Sequence, residues 1–133
     1  MLEFPAITAL TAGALIILQV VLAMKVSMAR MSFKQSLGDG GKPEVIALVR
    51  GHGNLVENAP IILILLGLLE VSGANSLAVA ALAVVFMVGR VLHPIGISMK
   101  KAPNAPRFIG SMSSHIVGLV CGGWLIIIAL GML

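Results

Sequence analysis

Four stretches of the chain stay apolar long enough to cross about 30 Å of hydrocarbon, which takes roughly 20 helical residues. They cover 4–28, 44–71, 75–97 and 106–133. The first carries no charge between Glu3 and Lys25. The second breaks the pattern. It reads Arg50-Gly-His52-Gly-Asn54-Leu-Val-Glu57-Asn58-Ala-Pro60 before turning fully apolar at Ile61. Ionisable groups at membrane depth cost roughly 2.5–3.5 kcal/mol each on insertion scales, so they are rare and functional by default. On a helix, Arg50, Asn54 and Glu57 fall at i, i+4 and i+7 and share a face. The pattern predicts that all three converge on something polar inside a bundle.

The connections differ. Residues 31–42 are polar and contain Gly38-Asp39-Gly40-Gly41, which predicts a flexible loop. Pro43 suits the first turn of the second helix. Ser72-Gly73-Ala74-Asn75 predicts a tight turn that makes helices two and three antiparallel neighbours. Residues 98–106, with Lys100, Lys101, Pro103 and Pro106, form a short loop. Helix four carries Gly110, Ser114, Gly118 and Gly122 at a spacing of four, which lets backbones approach closely. The sequence leaves open whether that stripe packs inside one protomer or between subunits. No internal repeat is evident.

Composition narrows the class. Of 133 residues, 59% are hydrophobic and 11% charged, whereas a soluble domain is about a quarter charged. The length holds one all-α membrane domain. Glu3 in place of a basic leader argues against a cleaved signal peptide. The net charge of +4 does not point to nucleic acid, because the nine Lys and Arg residues sit in two zones. One holds Lys25, Arg30, Lys34, Lys42 and Arg50; the other holds Arg90, Lys100, Lys101 and Arg107. The positive-inside rule then predicts four crossings with both termini on the non-cytoplasmic side. With no Tyr and one Trp, base stacking has no platform. The single Cys121, in an apolar run, excludes an internal disulfide and reads as a packed small hydrophobe. The eight Met residues are scattered and read as membrane packing.

Three helix ends on the basic side carry polar groups. Helix two supplies Arg50, Asn54 and Glu57; helix three supplies Arg90 and His93; helix four supplies Arg107, Ser111 and, deeper, His115. Together they predict an Arg-rich pocket open to the cytoplasmic side. Guanidinium groups match carboxylates with paired donors, and Glu57 can take an ammonium. A small zwitterion with excess negative charge fits.

The chain resembles the MAPEG family, the membrane-associated proteins in eicosanoid and glutathione metabolism. The residues that carry the resemblance are Arg50-x-His52-x-Asn54-x-x-Glu57-x-x-Pro60, Arg90-x-x-His93 and Arg107. It implies a four-helix protomer, a homotrimer, and glutathione as co-substrate between protomers near the cytosolic face. Arg50, Asn54, Glu57, Arg90 and His93 then match glutathione-binding positions, with Glu57 holding the glutamyl amine. Arg107 matches the catalytic arginine that stabilises the glutathione thiolate. Arg30 is aligned with an arginine that holds a glutathione carboxylate, and Ser111 joins the binding set. The departures are specific. Ile97 stands one turn beyond His93, and Ser111 and Met112 stand on helix four, where better-known enzymes have Tyr, Tyr and Thr. These differences argue against eicosanoid substrates and suit a bacterial branch, placed in the inner membrane.

The implied activity is a glutathione transferase or peroxidase that draws a lipophilic electrophile or hydroperoxide from membrane lipid. A non-catalytic scaffold binding glutathione, lipid or a partner helix is the alternative. A proton-coupled exporter of four short helices would put a carboxylate in the middle of helix one, where this chain has Gln19. Plainer readings stand beside each residue. Arg50 with Glu57 forms a structural ion pair, Arg90 and Arg107 snorkel to phosphates, and His115 is a satisfied polar group in the bundle. His52 points away from the Arg50 face. His93 precedes Pro94, which leaves room for a local partner at a kink. The histidines lie on three helices without His-x-x-x-His or Glu-x-x-His spacing, so no metal site is expected.

Overall fold

The computed structural model describes residues 4–99 and 103–133. Glu3, which bounds the first span, and Lys100 and Lys101 of the second basic zone lie outside the described residues. Four helices follow in order: α1 (Ala6–Ser32), α2 (Pro43–Val71), α3 (Ser76–Ser98) and α4 (Ala105–Met132). No strand occurs among the described residues. Even α3, with 23 residues, is about 35 Å long at a rise of about 1.5 Å per residue. All four are long and apolar enough to cross a membrane.

α2 touches the other three helices, and so does α3, whereas α1 and α4 do not meet. The core between them holds Leu55, Leu66, Leu69, Val79, Phe86 and Val117, all nearly free of solvent contact. Cys121 is fully buried among them, so it acts as a small hydrophobe. The outward faces are mostly Leu, Ile and Val, as hydrocarbon requires.

Helix ends follow local chemistry. α1 outruns its predicted end by about a turn, with Arg30 in its last turn, where a cation favours the carbonyl end. Pro43 opens α2. Asn75 caps α3, its Oδ1 accepting from the Ala78 amide at 3.0 Å. The α2–α3 turn is as tight as predicted, with Gly73 at φ +79°. α1 has no side-chain cap of its own, since Pro5 precedes it. The carboxylate of Glu70, at the far end of α2, takes that place. It accepts from the Ile7 and Thr8 amides at 2.8 and 2.9 Å and from the Thr8 hydroxyl at 2.9 Å.

Close backbone approach locks α3 to α4. A Cβ on Gly110 would stand 2.7 Å from the His93 Cβ and 2.8 Å from the Gly89 carbonyl oxygen. The stripe on α4 therefore packs mainly within the protomer: Gly110 on α3, Ser114 buried, and Gly118 against Ile62. Gly122 meets nothing within 4 Å. Gly110→Ala should cost about 1–3 kcal/mol, the usual range for overpacking. A lowered melting temperature in detergent checks this; an unchanged one would mean that α3 and α4 part easily.

Candidate functional site

An open cavity of about 930 Å³ lies at the end of the bundle where α2 and α4 begin and α3 ends. α2 contributes Arg50 and Asn54, α3 contributes His93 and Ile97, and α4 contributes Arg107 and Ser111. Asn104, Pro103, Phe108 and the first turn of α2 complete it. Among the described residues no carboxylate lines it. Two helix N-termini face the same region, and their partial positive charge adds to that of the two guanidinium groups.

Local capping builds the α4 wall. The Asn104 Oδ1 accepts from the Arg107 amide at 3.0 Å, and its Nδ2 donates to the Gly96 carbonyl at 2.8 Å. That one side chain starts α4 and ties it to the end of α3, leaving Arg107 exposed in the first helical turn. The sequence signal was Asn104-Ala-Pro106, a cap residue followed by an early proline. The His93 ring sits behind Arg107. A carbonyl can only accept, so His93 Nδ1 donates to the Arg107 oxygen, at 3.3 Å. This leaves Nε2 as the ring's acceptor.

Of the residues singled out in the sequence, Arg50, Asn54, His93, Arg107 and Ser111 come together in the cavity wall. Arg30, His52, Glu57, Arg90 and His115 do not line it. Arg30 folds onto its own loop, with Nε donating to the Gly38 carbonyl at 3.0 Å. Arg90 lies behind the wall and is 1% exposed. Its Nη1 donates to Asn54 Oδ1 at 2.5 Å, its Nη2 donates to the Gly110 carbonyl, and its guanidinium lies over the Phe86 ring.

Glu57 corrects the expectation that the helix-two triad points into the bundle. It pairs with Arg50 at 3.7 Å, but both side chains are more than half exposed on the flank of the protomer. The reason is angular. At about 100° per residue, Asn54 and Glu57 diverge by about 60°, so Asn54 turns toward α3 and Glu57 away from it. His115 is a second correction: it is exposed on the outer face of α4, whereas Ser114 beside it is buried. His52 is half-buried outside the cavity lining. Among the described residues, no three His, Cys, Asp or Glu side chains are grouped to hold a metal.

The family model for the MAPEG family matches residues 8–131, nearly the whole chain. This chain belongs to the MAPEG family. It is also similar to the inner membrane protein YecN of Escherichia coli K12, at 36% identity over 84 residues. The same protein from the O6:H1 strain CFT073 matches equally. Those matches cover 60% of this chain and 64% of each relative, a little under two thirds of the relatives' length. With four apolar helices and a family that is membrane-bound, the chain is a multi-pass integral membrane protein, like its inner membrane relatives.

Proposed function

We propose that this MAPEG protein binds glutathione in the α2–α3–α4 cavity and uses its thiolate against a lipophilic electrophile or hydroperoxide. The observation that carries the reading is the cavity's chemistry. Two guanidiniums, two amides, an imidazole and a hydroxyl line it, and no carboxylate does among the described residues. Glutathione brings two carboxylates, one ammonium and a thiol. Arg50 and the α2 terminus take a carboxylate. Glu57, beside Arg50 at the rim, takes the ammonium. Arg107 faces the sulfur.

A free thiol has a pKa of about 8.5, and the thiolate is the nucleophile. A guanidinium about 4 Å away supplies roughly 4 kcal/mol of gross attraction at an effective dielectric of about 20. That is enough, after desolvation, to bring ionisation to near neutral pH. The thiol proton leaves to water, the sulfur forms a bond to the electrophilic carbon, and the leaving group departs with the electron pair.

The working unit in this reading is a homotrimer in a bacterial inner membrane. Its termini lie on the non-cytoplasmic side and the cavity opens to the cytoplasm, beside the basic loops. Exposed Arg50, Glu57 and His115 on the flank of a single protomer support a neighbouring copy, since hydrocarbon would leave them unsolvated.

A non-catalytic scaffold is the second reading. It is favoured by Ile97 in the cavity wall and by Ser111 as its only hydroxyl among the described residues. Titrating the purified protein with glutathione decides between them. Heat on binding together with a rise in thiolate ultraviolet absorbance supports the enzyme. Heat without thiolate selects the scaffold. No heat at all rejects glutathione.

A further inference from the structure

Arg90 is the one fully buried cation of the chain among the described residues, and no carboxylate neutralises it. Burying such a group is costly, so its partners have a purpose or a compensation. It donates to Asn54 on α2 and to the Gly110 carbonyl on α4. Its Nε has no partner among the described residues. Arg90 itself does not line the cavity, whereas Asn54 does.

A guanidinium has donors only. The Asn54 atom that faces it must therefore be the carbonyl oxygen, which fixes which way the amide points. Its NH2 group is left for the cavity, and among the described residues that group donates to none. Gly110 lies between Arg107 and Ser111 on α4, so the second bond holds the opposite wall in register.

We propose that Arg90 is a positioning residue for an anionic ligand: by holding the Asn54 oxygen it turns the amide NH2 into the cavity and makes that wall a surface of donors. It reads the ligand through Asn54 without touching it. The choice of glutathione as probe rests on the function proposed above; the link between Arg90 and Asn54 does not.

The test is a cycle of Asn54→Asp, Asn54→Ala and Arg90→Met, with melting temperature and glutathione calorimetry on each purified protein. Asn54→Asp gives Arg90 a carboxylate but removes the donors. It should melt higher than the parent yet bind glutathione about tenfold or more weakly, the scale of one lost bond to a charged group. In the Arg90→Met background the rise in melting temperature should vanish. Arg90→Met should weaken glutathione about tenfold beside Asn54, but less than about twofold once Asn54 is Ala, because the two act as one unit. If Arg90→Met fails to fold, Arg90→Lys replaces it, and the Asn54→Asp arm stands without either.

Equal glutathione affinity for Asn54→Asp and the parent, or additive losses in the cycle, would overturn the proposal. If the parent binds no glutathione, the functional reading fails. The melting temperatures then decide alone: a rise for Asn54→Asp only when Arg90 is present supports the link, and no rise overturns it.

Discussion

Replacing Arg107 by Ala should lower glutathione conjugation to a chloro-nitrobenzene by roughly ten- to a hundred-fold at neutral pH, without unfolding the protein. Arg107 is exposed in the first turn of α4. The cap that starts the helix uses its backbone amide and not its guanidinium, so truncation removes charge and little else. Without that charge the thiol returns toward its ordinary pKa of about 8.5, and only a few per cent is thiolate at pH 7. The direction with pH follows. A depressed pKa helps most below 8.5, so the deficit should shrink as pH rises and the bound thiol ionises unaided. Arg107→Lys should recover part of the rate, since a point charge replaces the paired donors. A pH–rate profile is the measurement. A variant that conjugates as fast as the parent at pH 7 removes Arg107 from the chemistry.

The second large effect concerns stability. Glu70→Ala should destabilise the protein by roughly 2–3 kcal/mol, because it strips three bonds from one carboxylate and the half-exposed amides of the α1 terminus recover only part of them from water. Among the described residues Glu70 is the only side chain that caps α1. Its charge also faces the positive end of that helix dipole. Glu70→Gln keeps one acceptor and turns a donor toward other donors, so it should fall between the parent and Ala. Melting in detergent measures both. Glutathione affinity should survive in protein that stays folded, since the site lies at the other end of the bundle. A Glu70→Ala protein that melts with the parent would show that α1 needs no cap.

Glu70 also marks what one sequence can and cannot tell. At the end of α2 a carboxylate opposes its own helix dipole, so locally it looks neutral or worse. Only the antiparallel packing of α1 on α2 brings it across 62 positions to Thr8 at an N-terminus, where it is favourable. The four spans needed no such long-range knowledge: apolar run length and the placement of Lys and Arg were enough. The Ser72–Asn75 turn and the Pro43 start were equally local. In the candidate site, helical spacing put Arg50, Asn54 and Glu57 on one side of α2, but could not say which neighbour that side would meet. Asn54 met Arg90 on α3, whereas Glu57 met Arg50 of its own helix. The Arg90-x-x-His93 pair looked uniform in sequence. The fold divides it, with His93 in the cavity wall and Arg90 behind it, because adjacent turns of α3 face different depths of the bundle. Asn104 was missed in the sequence: its cap signal is local, but its place in the wall depends on Gly96 lying opposite.

The burial of Cys121 has a practical outcome. A sulfur with no surface exposure stays silent toward water-soluble maleimides while the protein remains folded. Probes can therefore be introduced at Leu37 in one connecting segment and at Ser76 beside another, both exposed, without first removing the native residue. Which of the two reacts in intact cells reports directly which side of the bilayer each faces.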